Sequence, residues 1–288
     1  MLAIDLAKDE GRKPRLRTPP GTCDTHSHVY GPRDVYPHMD GREPRFAPVD
    51  VYIAMLDRLG IERSVIVQPS LYGIDNRCTL DAIAAIGQKR ARGTAVVTPD
   101  ATKAELRRLH EGGIRGIRIS HNGDELSPEI AGDLARMIAP FGWMLQVQDS
   151  RKRWIADAAA HLSNLPVPLI FDHLGRTPAE EGAHGAEFKA MVKLMETGRV
   201  WVKISGVYYS SRASHPDYED AAERIRILVG ARPDRILWAL NWPHPGLPFE
   251  GDADSADFLD PLLDWVPDEA VRKMVLAGNP GKLYGFDD

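Results

Sequence analysis

Eight short apolar segments alternating with eight segments of helical periodicity predict a single (β/α)8 barrel. Three observations carry the prediction. The apolar runs are short and rich in β-branched residues, as in Arg63-Ser64-Val65-Ile66-Val67, and each is followed by apolar residues recurring at helical spacing. Strict strand–helix alternation is what a parallel sheet requires, because parallel neighbours need a crossover element. Finally, 288 residues with no compositional break suit one barrel domain. A doubly wound open sheet would carry a Gly-rich phosphate turn after its first strand. Here that position holds His26-Ser27-His28.

The first strand is Thr22 to Gly31, and the Pro-, Gly- and Arg-rich residues 31–48 after it form a long loop. Loops of that length are usually functional. A helix follows Pro48, with Val51, Met55, Leu56 and Leu59 on one face and Gly60 as its stop. Strand two is Arg63–Pro69 and helix two Asn76–Arg90. Thr94–Thr98, Ile114–Ser120, Trp143–Gln148, Val167–Asp172, Val200–Ser205 and Ile236–Leu240 complete the strands. Their helices are Lys103–His110, Pro128–Phe141 behind the cap candidate Ser127, Lys152–Leu162, Ala186–Thr197, Tyr218–Val229 and Asp257–Trp265, with a short tail from Glu269 to Leu276. Residues 1–20 read as a polar arm and 21–288 as the barrel domain.

A net charge of −5 without a Lys/Arg block argues against nucleic-acid or membrane-surface partners and leaves a small molecule as the expected ligand. The oligomeric state is not legible. Cys23 and Cys78 make no disulfide framework, no run reaches the ~18 apolar residues of a membrane span, and the first twenty residues lack a signal-peptide core. A cytoplasmic protein is expected.

Barrel chemistry sits at the C-terminal ends of the strands. His26 and His28, two residues apart on a strand, share a face. Strand two offers Gln68, with Ser70 and Tyr72 beyond it; strand four offers Arg118 and Ser120; strand five offers Gln148. Strand six brings His173 and Arg176, strand seven Ser205 with Tyr208 and Tyr209 in its loop, and strand eight Asn241 and His244. Three imidazoles and several guanidiniums on one rim suit an anionic, carbonyl-bearing small molecule. Set against these, Tyr208 and Tyr209 read equally well as packing residues, and Arg115 should face the helix layer. His110, His161 and His184 are expected in solvent. His38 and Arg45 are candidates for closing over a ligand, and His244 stays open between ligand contact and support.

The stretches Cys23-Asp24-Thr25-His26-Ser27-His28, Phe171-Asp172-His173-Leu174-Gly175-Arg176, Leu237-Trp238-Ala239-Leu240-Asn241-Trp242-Pro243-His244-Pro245 and Asn279-Pro280-Gly281-Lys282-Leu283-Tyr284-Gly285-Phe286 occur in this order. Together they resemble the amidohydrolase superfamily, and within it the group that processes lactones. Metal-dependent members carry a histidine at the end of strand five and an aspartate at the end of strand eight; here the matching residues are Gln148 and Asn241. Neutral amides are poor partners for a divalent cation, so no cofactor is expected, with one zinc on His26, His28 and His173 as the alternative.

The resemblance implies an enzyme that isomerises or hydrolyses a lactone. A carboxylate on strand eight can take a proton from water and an amide cannot. Isomerisation of an aldaro-1,5-lactone, D-galactaro-1,5-lactone foremost, to the 1,4-lactone is therefore the expected reaction, placed in uronic and aldaric acid breakdown. Hydrolysis of a carboxylated lactone is the alternative, and a non-catalytic sugar-acid binder is a third reading. The expected catalytic set is His26, His28, His173 and Asn241, with Arg118 on the substrate carboxylate and Gln148, Ser70, Arg176 and His244 as further substrate contacts.

Overall fold

Eight parallel strands lie side by side in chain order. The computed structural model describes residues 11–39, 46–120, 127–148, 154–213, 215, 218–247 and 254–286. The strands are β1 Cys23–Ser27, β2 Arg63–Val67, β3 Ala91–Ala95, β4 Ile114–Ser120, β5 Met144–Gln148, β6 Leu169–Phe171, β7 Val200–Ile204 and β8 Ile236–Trp238. Helices α1 Val49–Leu59, α2 Arg77–Ile86, α3 Lys103–Glu111, α4 Pro128–Ile138, α5 Trp154–Leu162, α6 Ala186–Glu196 and α7 Glu219–Ala231 form the crossovers. Short helices α8 Leu262–Trp265, α9 Glu269–Lys273 and α10 Asn279–Tyr284 end the chain. The barrel expected from the sequence is the fold observed.

Closure between β1 and the chain through β8 is made by backbone and side-chain hydrogen bonds together. Leu240 N–H donates to Asp24 Oδ1 at 3.0 Å, Thr25 Oγ1 donates to Trp238 O at 2.8 Å, and Asn241 N–H donates to His26 O at 2.8 Å. Asp24 is fully buried, so desolvation raises its pKa, while hydrogen bonds from Ser27, Leu240, Tyr52 and His26 favour the ionised form. This seam sets the His26–His28 pair beside Asn241.

Strand alternation divides the core in two. Cys23, Val65, Val67, Met144, Ile170, Trp201 and Leu237 fill the barrel interior, joined by Tyr284 of α10. A larger apolar layer fills the space between strands and helices. Two residues further along the same inward faces, apolar side chains give way to polar ones: Met144 to Gln146, Ile170 to Asp172 and Trp201 to Lys203. The site is built on that boundary.

Several elements depart from the sequence reading. Gly87, with φ 90°, ends α2 at Ile86 and sends the chain into β3 at Ala91, three residues before the expected start. The expected Asp257–Trp265 helix is split by Pro261 into a 3-10 turn at Ser255–Phe258 and α8, since proline has no N–H to carry the helix through. β6 ends at Phe171, one residue short of the expected Asp172, whose N–H still donates to Val147 O of β5 at 3.0 Å. His110 is not simply solvated, because it accepts the Trp143 indole N–H at 2.9 Å. Within the arm, Leu16 is buried and Arg12 pairs with Asp257 and Asp260, both at 2.6 Å. Arg45 lies outside the described residues, as does the Ser120 side chain. Among the described residues, no helix is long and apolar enough to cross a membrane.

Candidate active site

The C-terminal ends of the strands converge on a buried polar cluster whose anchor is Asp172. Its Oδ1 lies 3.2 Å from His26 Nδ1 and 3.5 Å from Lys203 Nζ. Its Oδ2 accepts from Gln146 Nε2 at 2.9 Å and from Arg118 Nε at 3.2 Å. Burial alone would raise this carboxyl's pKa; His26, Lys203 and Arg118 outweigh it and hold the group well below the usual range. We read it as a carboxylate, neutralised by two cations and accepting from an uncharged His26.

Both strand-one histidines are fixed through Nδ1. His28 Nδ1 meets the Val67 carbonyl at 2.8 Å and His26 Nδ1 meets Asp172, so both Nδ1 atoms are assigned as donors. That assignment leaves both Nε2 lone pairs facing each other 3.3 Å apart. Burial depresses all three imidazole pKa values, His28 and His173 to about 3 and His26 well below its ordinary value. The site therefore presents neutral imidazoles at neutral pH.

His173 stands 4.5 Å from the His26 ring, and its Nδ1 is 2.9 Å from Ser205 Oγ. Gly206 makes this contact possible: a Cβ there would sit 2.7 Å from His173 Nδ1, and its φ of 49° favours glycine. Among the described residues, five of the six non-glycine positions with positive φ are His173, Leu174, Arg176, Asn241 and His244. Such conformations concentrate where side chains must be aimed against backbone preference.

Asn241 is fully buried and donates through Nδ2 to Tyr208 Oη at 2.7 Å. Tyr208 Oη in turn donates a hydrogen bond to Pro245 O at 3.2 Å, and burial raises its pKa so that it stays protonated. Asn241 Oδ1 is thus aimed away from the tyrosine, and it has no hydrogen-bond partner among the described residues.

The remaining expected contacts sort by geometry. Arg118 is buried in the mouth, its Nη2 on Gln148 Oε1 and its Nε on Asp172, so it supports the cluster rather than standing free for a ligand. Gln148 contacts the site through that bond. Arg176 covers the Tyr209 ring, its Cζ 4.2 Å from the ring centre. His244 packs away from the histidines, stacked 4.5 Å from Phe258 with Nε2 3.1 Å from Ser255 Oγ. Ser70 is exposed at the start of the 3-10 turn Ser70–Tyr72. Gln68 bonds the Gly73 and Asp75 carbonyls and is structural. His38 lies against Tyr72, with ring centres 5.6 Å apart.

Asp172, Lys203 and Gln146 are members of the cluster that the sequence reading did not single out, and Tyr208, left open there between ligand contact and packing, holds Asn241. Strand alternation carries a signal for two of them, since Lys203 lies two residues beyond inward Trp201 and Gln146 two before Gln148. Gln146, not Gln148, occupies the level of His26, with Nε2 3.4 Å from His26 Nδ1.

His26, Asp172 and His173 each present a ligand atom within 4.8 Å of the others, a spacing a cation could use. A divalent ion here would find no free anionic donor: the one carboxylate already accepts from Gln146 and Arg118, and an ammonium stands 3.5 Å from its other oxygen, which leaves only the imidazoles.

A parallel (β/α)8 barrel with a His-x-His pair on β1 and a histidine beyond β6 defines the scaffold. The chain belongs to the amidohydrolase family, whose model matches residues 23–286. It is 34% identical over 283 residues to a 4-sulfomuconolactone hydrolase of Hydrogenophaga intermedia, covering 94% of this chain and 91% of that one. It is 32% identical over 285 residues to a D-galactarolactone isomerase of Agrobacterium fabrum, covering 97% and 96%. An apo crystal structure from Agrobacterium tumefaciens matches with a TM-score of 0.84 at 30% identity, covering 94% of this chain and 98% of that one.

Proposed function

We propose that the protein is a lactone isomerase that converts an aldaro-1,5-lactone, D-galactaro-1,5-lactone foremost, to the 1,4-lactone without a metal. Relatives named for lactone hydrolysis and lactone isomerisation support action on a lactone. The observation that favours isomerisation is the unpartnered Asn241 Oδ1, held as an acceptor by Tyr208. A buried acceptor calls for a donor, and so do the facing Nε2 lone pairs of His26 and His28. Substrate hydroxyls or a water supply such donors, but an amide, unlike a carboxylate, cannot take a proton from that water, so the reading turns on the substrate's own hydroxyl.

In this reading the C4 hydroxyl gives its proton to the His26–His28 pair as its oxygen bonds to the lactone carbonyl carbon. The tetrahedral oxyanion collapses, the bond to the C5 oxygen breaks, and that oxygen takes the proton back. No water is consumed and no net proton is exchanged. Intramolecular attack gains from enforced proximity, worth ~7–11 kcal/mol in favourable geometry. His173 and the Arg176 guanidinium give the mouth donors and positive charge for the oxyanion and the free carboxylate. Asn241 orients the reacting hydroxyl.

Proton NMR of freshly prepared aldaro-1,5-lactone with the protein tests this, because 1,4-lactone and open diacid give separate signals. Accumulation of 1,4-lactone ahead of diacid is expected. Direct formation of diacid with no 1,4-lactone would make the protein a hydrolase and end the isomerase reading.

A further inference from the structure

Lys203 has no part in the reaction above, yet its side chain is fully buried within the barrel, under the histidines. Three acceptors surround its ammonium: Thr25 O at 2.8 Å, Gln146 Oε1 at 2.8 Å and Asp172 Oδ1 at 3.5 Å. An ammonium has three N–H bonds to give, and here each has a direction to go. A lysine so placed costs desolvation that an apolar side chain would avoid, so stability alone gives no reason for it.

Its effect on its neighbours supplies a reason. Because Gln146 Oε1 faces Lys203, the other end of that amide must face Asp172, and it donates to Oδ2 at 2.9 Å. Arg118 Nε takes the same oxygen, which leaves Oδ1 directed at the ammonium and at His26 Nδ1. Turned around, the Gln146 amide would set its oxygen against the carboxylate and its NH2 against the ammonium. We propose that Lys203 is a positioning residue for the reaction: its ammonium orients Gln146 and Asp172 so that His26 is kept in the Nδ1–H form and offers Nε2 to the substrate hydroxyl.

The inference rests on the isomerase reading only in taking His26 as a proton acceptor, and its main test needs no substrate. Histidine-selective 15N NMR of the wild-type protein, with His26 identified by its loss in His26→Asn, is expected to show an Nδ1–H tautomer. In Lys203→Met and Lys203→Gln the His26 signal is expected to move toward the imidazolium, which has no Nε2 lone pair to offer, because Asp172 Oδ1 loses its cation and still faces His26 Nδ1. Lactone turnover in the same variants should show kcat reduced by tenfold or more with KM within about threefold. A wild-type Nε2–H tautomer overturns the proposal even if neither variant folds. So does a folded variant with an unchanged His26 signal, or one whose KM rises while kcat holds. If the wild type turns over no lactone, the function reading fails, and the tautomer result still decides the role of Lys203.

Discussion

Replacing Tyr208 by phenylalanine tests the link between a buried hydrogen bond and the reaction. Tyr208 is the partner that directs Asn241: its oxygen accepts from Nδ2 at 2.7 Å and its O–H donates to Pro245 O. Phenylalanine keeps the ring, which packs 4.6 Å from Tyr209 and 5.9 Å from Phe258, so folding should survive. What is lost is the acceptor for a buried amide N–H. Leaving such a group unsatisfied costs about 1–3 kcal/mol, and the amide can escape that cost by turning its oxygen out of the site. At 1.36 kcal/mol per tenfold, kcat/KM should fall by roughly 5- to 150-fold. Initial rates of 1,4-lactone formation by NMR measure it, with a thermal unfolding midpoint to show that the fold is intact. A folded Tyr208→Phe protein with kcat/KM within twofold of wild type would refute the claim that Tyr208 holds Asn241 in its working orientation.

Asn241→Asp should raise hydrolysis relative to isomerisation, because a carboxylate can accept a proton from water; an unchanged ratio of diacid to 1,4-lactone would show that this position does not choose the reaction. Activity is expected to survive exhaustive chelation, with elemental analysis as the control. Stoichiometric zinc whose removal abolishes activity and whose return restores it would overturn the metal-free reading. Stability should fall as pH drops. Burial holds His28 and His173 at about 3 in the folded chain, against about 6.5 when unfolded, so between these values the unfolded chain binds more protons. Their contribution is complete above about pH 6.5 and is lost progressively toward pH 3. Urea midpoints between pH 7.5 and 4.5 should decline, and His173→Asn should flatten the decline; equal slopes in the two proteins would contradict the burial argument.

Strand–helix alternation is a local property of the chain, and it was enough to specify the barrel and to put His26, His28, His173 and Asn241 at its mouth. Boundaries were less legible, since Gly87 and Pro261 act through backbone geometry that periodicity does not record. The family motifs in turn marked the imidazoles, because their spacing survives in sequence.

The partners of those imidazoles are decided only by the tertiary structure. Asp172 meets His26 across 146 positions, Lys203 meets Thr25 across 178, and Asn241 meets Tyr208 across 33. Each contact joins residues on, or just beyond, strands whose neighbours are set by barrel closure, and no local pattern encodes that. Arg118 shows the difference best: alternation correctly aimed it inward, but whether it meets a substrate or a buried carboxylate depends on Asp172, delivered from β6. The sequence determined which chemical groups this barrel gathers. Only folding decided which of them are engaged with one another and which, like Asn241 Oδ1, are left for a ligand, because a hydrogen bond is satisfied by proximity in space and not by spacing along the chain.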